Sequence, residues 1–246
     1  MSNRFLCLAP LWRRPLATTQ RDLAGRLLFC ASFFSLFLSA FAPAARGAAE
    51  EVVSAKVRGL HCQACVAKAT EALEKLDSVE SVKINLEDGA ATIEVASDFD
   101  RAQLKDAILA VDLELLFAEE TPIVSLGPEE LAGLDIQTVS RGEKIRLEDH
   151  LAKGKFTLFD FTAEWCKPCQ ILSPKLERMV QESDDVALRM VDIVDWKSDM
   201  AKHATKAFKL SGIPFVRIYG PDGKHLGDVK GLQPQKITAL IEGRRS

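Results

Sequence analysis

The stretch that decides the fold is FTLFDFTAEWCKPC at residues 156–169, an apolar run followed by two cysteines. The run from 156 to 161 is apolar apart from one threonine and Asp160, which predicts a central, buried strand. After Cys169, apolar side chains recur at helical spacing and predict a helix. Cys166 and Cys169 therefore lie between a strand and a helix, where the helix dipole favours a reactive thiolate.

Strands and helices continue to alternate around this stretch. The apolar patterns predict further strands at 187–193, 215–219 and 225–229, and helices at 170–180, 200–210 and 234–241. This order predicts an α/β domain, which we place at residues 135–246.

The residues around the two cysteines resemble the thioredoxin family, and the likeness extends over this domain. Asp160 lies six positions before Cys166, Trp165 precedes that cysteine directly, and Ile213-Pro214 matches the family's cis-proline loop. The resemblance implies a thioredoxin fold and a thiol–disulfide oxidoreductase, here a protein-disulfide reductase.

The same resemblance implies roles for five catalytic residues. Cys166 is the attacking thiolate, Cys169 the resolving thiol, and Asp160 the buried acid that passes the proton. Pro214 binds the substrate backbone, and Trp165 shapes the rim of the site. Because Lys-Pro separates the cysteines and no histidine lies between them, the resemblance favours a reductant over a primary disulfide maker. A zinc site or a structural disulfide is the alternative for this pair.

A second, smaller domain is predicted at residues 50–119. Alternating apolar residues predict four strands, and apolar residues at helical spacing predict two helices between them. The order βαββαβ is that of a ferredoxin-like sandwich. The predicted fold class is therefore α/β and α+β in two domains, joined by a linker at residues 120–134.

The first loop of this smaller domain carries a second cysteine pair, Cys62 and Cys65, shortly after Gly59. The loop and the element order resemble the heavy-metal-associated domain of copper chaperones and metal-transporting ATPases, with Leu60 in place of the family's usual methionine. The resemblance implies that both thiolates bind Cu(I) or another soft metal ion. We expect Cys65, at the helix start, to be the favoured thiolate. We expect His61, beside Cys62, to face solvent, because neighbouring side chains diverge; the alternative is that it joins the metal site. The alternative is a disulfide without metal.

Residues 1–49 have the pattern of a signal peptide. Basic residues precede an uncharged apolar run at 27–42, and small residues follow it. We therefore predict export to the bacterial periplasm. The alternative is an uncleaved segment that anchors the protein to the inner membrane.

The net charge of −3 combines a basic N-terminal segment with an acidic remainder. Residues 1–49 hold six arginines and one acid, so the remaining chain carries 26 basic and 34 acidic side chains. An acidic surface argues against a nucleic-acid partner, because phosphate binding requires a basic one.

Two cysteine pairs in one exported chain predict a thiol–disulfide oxidoreductase with an appended metal-binding domain. Its expected partners are protein disulfides, the copper-site cysteines of other proteins, and a membrane electron donor. The competing hypothesis is a metal chaperone or resistance protein whose thioredoxin-like domain serves to dock partners. A third hypothesis makes the smaller domain a redox relay that passes electrons to Cys166.

Overall fold

The computed structural model describes residues 50–245, which belong to one compact unit. The predicted signal peptide at residues 1–49 lies outside this range. Within the described range, no helix combines the length and the apolar character needed to cross a membrane.

The N-terminal domain is the predicted βαββαβ sandwich. Its elements are β1 (Glu50–Arg58), α1 (Gln63–Glu74), β2 (Val79–Ile84), β3 (Ala90–Ala96), α2 (Arg101–Leu109) and β4 (Glu114–Phe117). The strands pair antiparallel in the order β2-β3-β1-β4. Alternate residues of β3 are buried in a core to which both helices contribute, as the period of two in its sequence requires.

The linker contains a short helix, α3 (Pro128–Leu131), and runs against the second domain. Leu126 is 5% exposed, and its backbone N–H donates a 2.8 Å hydrogen bond to Glu177 Oε2. The linker is therefore held to the protein surface by a buried side chain and a buried carboxylate.

The C-terminal domain is built on a five-stranded sheet. Its elements are β5 (Ile136–Arg141), a 3-10 helix (Leu147–His150), β6 (Phe156–Thr162), α4 (Cys169–Gln181), β7 (Val186–Asp192), α5 (Asp199–Phe208), β8 (Phe215–Tyr219), β9 (His225–Lys230) and α6 (Pro234–Arg245). The strand order is β5-β7-β6-β8-β9; β5, β7 and β6 pair in parallel, β8 pairs antiparallel with β6, and β9 pairs antiparallel with β8. The predicted buried strand, β6, lies at the centre of the sheet.

One strand, β5, was missing from the sequence-based prediction. Its apolar residues Ile136 and Val139 are three positions apart, with polar residues between them, so the segment lacks the alternation of a half-buried strand. It forms because it pairs in parallel with β7. The pairing partner, rather than the local pattern, makes this segment a strand.

A buried carboxylate joins the two domains. Glu114 in β4 accepts a 2.6 Å hydrogen bond from Arg58 and a 2.5 Å hydrogen bond from Lys175 in α4. The Glu114 residue is 9% exposed. One carboxylate thus balances a cation from each domain, which compensates the cost of burying its charge.

Candidate functional site

The predicted catalytic cysteines form a disulfide at the start of α4. Their Cα atoms are 5.2 Å apart, and α4 begins at Cys169. Both residues are buried, with Cys166 3% and Cys169 1% exposed. The backbone N–H of Cys169 donates a 3.2 Å hydrogen bond to Cys166 Sγ. After reduction, this bond favours the thiolate of Cys166 over its thiol.

Asp160 occupies the middle of β6 and is fully buried. Its Oδ2 accepts a 2.7 Å hydrogen bond from Ser173 Oγ, whereas its Oδ1 finds no hydrogen-bond partner among the residues the structure describes. The pKa of Asp160 is raised to about 6, chiefly by burial; the Ser173 hydrogen bond lowers it, and the negative charge of Glu177 adds to the rise. Asp160 can therefore exchange a proton near neutral pH, with Oδ1 as the free acceptor atom.

Ser173, which donates to this acid, lies on the same helix as the resolving cysteine. Cys169, Ser173 and Glu177 are four residues apart in turn, so they share one face of the helix. All three line a cavity of about 370 Å³ that opens to solvent. Sequence analysis missed Ser173 and Glu177, although their regular spacing from Cys169 along the helix was a usable signal.

Pro214 lies directly before β8, and the Ile213–Pro214 peptide bond is cis, as the resemblance implied. Pro214 is buried, and its carbonyl accepts a 2.8 Å hydrogen bond from the N–H of Gly231. Ile213 packs against the core cluster that contains Cys166. These contacts place the cis-proline loop on the same side of the sheet as the disulfide.

Trp165 is 51% exposed, in agreement with a position at the rim of the site. Its indole N–H donates a 2.7 Å hydrogen bond to the carbonyl of Val194, and the ring of Trp196 lies 6.5 Å away. Val194 and Trp196 are also exposed. An apolar surface of three large side chains thus borders the disulfide, and sequence analysis missed two of them because they lie in a polar segment.

Cys62 and Cys65 are free thiols whose Sγ atoms lie 3.3 Å apart. The helix α1 begins at Gln63, so Cys62 is its N-cap. Hydrogen bonds from Cys65, first from its side chain and then from its backbone, lower the pKa of the Cys62 thiol. Burial, followed by the hydrogen bond with Cys62, raises the pKa of the Cys65 thiol. Our expectation that Cys65 is the favoured thiolate is therefore wrong, because the thiol pKa is lowered at Cys62 and raised at Cys65.

The donor atoms of this pair fit a soft metal ion. The Sγ atoms of Cys62 and Cys65 and a ring nitrogen of His61 all lie within 4.8 Å of one another. Thiolates and imidazole are the ligands preferred by Cu(I) and Zn²⁺. The two cysteines would hold the ion, and its binding would keep both sulfurs deprotonated.

The loop that carries this pair contacts the redox helix. A Cβ atom at Gly59 would lie 3.3 Å from Ile171 Cδ1, and Ile171 is two residues after Cys169. Gly59, Leu60 and Lys167 share a cavity of about 280 Å³. The two cysteine pairs therefore belong to neighbouring segments of one surface.

The C-terminal fold and its disulfide define a thiol–disulfide oxidoreductase, since a buried acid, a cis-proline and a cysteine pair at a helix start converge on one site. Known proteins agree with this class. The thioredoxin family model matches residues 139–243, and the heavy-metal-associated domain model matches residues 55–111. The chain belongs to the thioredoxin family, and it carries a heavy-metal-associated domain before its thioredoxin domain.

Similar proteins include two thioredoxins and one metallochaperone. Thioredoxin-2 of Saccharomyces cerevisiae is 35% identical over 37% of this chain and 83% of its own length. Thioredoxin of Geodia cydonium is 36% identical over 37% of this chain and 81% of its own length. A solved structure described as CopZ metallochaperone is 29% identical, with coverage of 27% of this chain and 98% of its own, at a TM-score of 0.25.

Proposed function

We propose that the protein is an exported reductant that keeps soft-metal-binding cysteines in the thiol form, including its own Cys62 and Cys65, so that they bind Cu(I). The observation that carries this proposal is the contact between the metal loop and the redox helix. Gly59, three residues before Cys62, packs against Ile171, two residues after Cys169. This places a second cysteine pair within the same compact unit as the thioredoxin site.

The reaction is a pair of thiol–disulfide exchanges. The Cys166 thiolate attacks one sulfur of the target disulfide, which forms a mixed disulfide and releases the first target thiolate. Cys169 then attacks Cys166 Sγ, which releases the second target thiolate and forms the Cys166–Cys169 disulfide. Two electrons pass from the domain to the target, and a dithiol or membrane-bound electron donor must return them.

Asp160 supports the second exchange by accepting a proton from Cys169. Its raised pKa, about 6, makes the ionised form a competent base near neutral pH. Ser173 holds one carboxylate oxygen and leaves Oδ1 for the proton. The cavity beside Cys169 and Ser173 offers a route by which water can link the two groups.

Two features of the sequence support the reducing direction and the export. The pair Lys167-Pro168 between the cysteines contains no histidine, which by family resemblance favours a reductant. The signal pattern at residues 1–49 supports export to a compartment where thiol pairs oxidise. There, a metal site of two thiolates needs a reductant, because Cu(I) binds the thiolates and not the disulfide.

A trapping experiment tests the proposal. The Cys169→Ser variant is prepared in a protein whose Cys7 and Cys30 are replaced by serine. Cys166 is present as a thiol, and the Cys62–Cys65 pair of the same chain is oxidised to a disulfide. We expect a stable intramolecular disulfide from Cys166 to Cys62 or Cys65, detected by peptide mass mapping. The matched Cys166→Ser variant should form no such link. If no disulfide forms between the two cysteine pairs, the Cys62–Cys65 pair is not an intramolecular target of Cys166.

A metal chaperone with a docking domain is the competing function, favoured by the exposed Trp165 and Trp196. Reduction of insulin disulfides separates the two functions. The reductant hypothesis expects activity in the wild-type protein and its loss in Cys166→Ser. Equal activity in both proteins, or none in either, favours the chaperone.

A further inference from the structure

His61 lies beside the cysteine pair although sequence analysis placed it in solvent. Its Nδ1 and Nε2 atoms are 3.5 Å and 3.7 Å from Cys65 Sγ, and the two sulfurs are 3.3 Å apart. The imidazole is exposed, yet it points towards the sulfurs and not away from them. Three potential ligand atoms therefore converge on one point at the end of β1 and the start of α1.

One ring nitrogen of His61 faces a backbone acceptor. Nδ1 lies 3.3 Å from the carbonyl oxygen of Gly59. In the tautomer in which Nδ1–H donates to this carbonyl, the lone pair is on Nε2. Metal-binding histidines commonly donate their second N–H to a backbone carbonyl, which orients the ring and fixes the tautomer.

The Gly59 carbonyl is itself held in place. Gly59 has a φ of +96°, a backbone conformation that residues other than glycine rarely adopt. Leu113 Cδ2 and Ile171 Cδ1 would lie 3.0 Å and 3.3 Å from a Cβ atom at this position. The acceptor for His61 is therefore fixed by packing from both domains.

From this geometry we infer that His61 Nε2 is a third ligand, so that the metal site is Cys₂His and three-coordinate. The inference rests on the proposed function, in which Cys62 and Cys65 bind a soft ion. It adds a neutral nitrogen donor to the two thiolates, a set that suits Cu(I) and Zn²⁺.

The ligand atoms are close enough for a three-coordinate site. Metal–sulfur bonds of about 2.3 Å hold the sulfurs of a linear site about 4.6 Å apart and those of a trigonal site about 4.0 Å apart. The two thiols, in hydrogen-bond contact at 3.3 Å, need to separate less to reach the trigonal arrangement than the linear one. A trigonal ion with bonds of about 2.3 Å to sulfur and about 2.0 Å to nitrogen separates these ligands by about 3.7 Å. Nε2 and Cys65 Sγ are 3.7 Å apart.

X-ray absorption spectroscopy of the Cu(I)-loaded protein tests this inference. The full chain, reduced and then loaded with Cu(I) in a nitrogen-free, thiol-free buffer containing ascorbate, should show two sulfur neighbours and one nitrogen neighbour. His61→Ala should lose the nitrogen neighbour and retain both sulfurs. In competition with bathocuproine disulfonate, we expect Cu(I) affinity in His61→Ala to fall about tenfold. His225→Ala, which removes an exposed histidine from β9, should match the wild-type protein in both measurements.

The outcomes separate this inference from the function on which it rests. Two sulfur neighbours alone in the wild-type protein, with unchanged affinity in His61→Ala, overturn the third ligand and leave the cysteine site intact. Equal Cu(I) binding by the wild-type protein and by Cys62→Ser/Cys65→Ser overturns both the cysteine site and the third ligand. A nitrogen neighbour that persists in His61→Ala also overturns the inference, because another residue must then supply it.

Discussion

The carboxylate of Asp112 accepts a 2.7 Å hydrogen bond from the backbone N–H of Leu232, across 120 positions of sequence. Asp112 has a φ of 61°, in the turn between α2 and β4. Leu232 follows Gly231, which in turn donates to the carbonyl of Pro214. The N-terminal domain therefore contacts the loop that supports the cis-proline, so its position is coupled to the redox site.

Removal of this carboxylate should loosen the contact without straining the turn. Asp112→Gly keeps the left-handed conformation but deletes the acceptor, at a cost of about 1.5–3 kcal/mol for a bond to a charged group. We expect faster hydrogen exchange at the Leu232 amide, measured by NMR. Asp112→Asn is the matched control, since its side-chain carbonyl still accepts the bond. Unchanged protection of Leu232 in Asp112→Gly would contradict the contact.

Gly231 should be intolerant of a side chain for two separable reasons. Its φ is +76°, and an added Cβ atom would overlap Asp112 Oδ1. Backbone strain in Gly231→Ala should therefore lower the free energy of unfolding by about 1–2 kcal/mol. Displacement of Asp112 should lower it by a further ~1–2 kcal/mol.

A double-mutant cycle measured by urea unfolding separates these contributions. In the Asp112→Gly background, Gly231→Ala should cost only the backbone strain, about 1–2 kcal/mol. Strict additivity of the two substitutions would show that the side chains do not interact.

The features that sequence analysis found are those whose signal is local. The apolar run of β6 predicts a buried strand by itself, and the spacing of Asp160 from Cys166 and the Ile213-Pro214 pair are visible in the printed sequence. In the first domain, the alternation of β3 is likewise enough to predict a sheet with one buried face.

The features that it missed depend on contacts between distant segments. The strand β5 forms only because β7 is available to pair with it, and Asp112 gains its partner only when Leu232 is brought near. The thiolate preference of Cys62 over Cys65 was missed for a different reason. A rule based on the helix terminus favoured Cys65, but burial raises the pKa of Cys65, whereas hydrogen bonds from the side chain and backbone of Cys65 lower the pKa of Cys62.

The buried acid should make stability depend on pH. The folded-state pKa of Asp160, about 6, exceeds the value of about 3.9 for an unfolded aspartate. Between these values the native state binds more protons than the unfolded state, so the free energy of unfolding falls as pH rises from about 4 to about 6. The stabilising contribution is complete below the unfolded pKa and is lost above the folded pKa.

Asp160→Asn should remove this dependence. We expect the oxidised variant to be more stable than the wild-type protein by about 2–3 kcal/mol at neutral pH, with no such advantage below about pH 4, because the amide never ionises. Denaturant unfolding at several pH values measures this difference. Asp184→Asn, which replaces an exposed carboxylate, should show no comparable trend. A pH-independent difference for Asp160→Asn would contradict the burial argument.

The two polar residues of α4 should shift the pKa of Asp160 in opposite directions. Ser173→Ala removes the donor to Oδ2, which stabilises the charged form, so the pKa of Asp160 should rise above about 6, by about one unit. Glu177→Gln removes a neighbouring negative charge while its side-chain carbonyl still accepts the Leu126 N–H, so the pKa of Asp160 should fall. Carbon-13 NMR titration of the Asp160 carboxyl group in the oxidised protein measures both shifts. If the pKa of Asp160 shifts in the same direction in both variants, a general loosening of α4, and not these two interactions, causes the shifts.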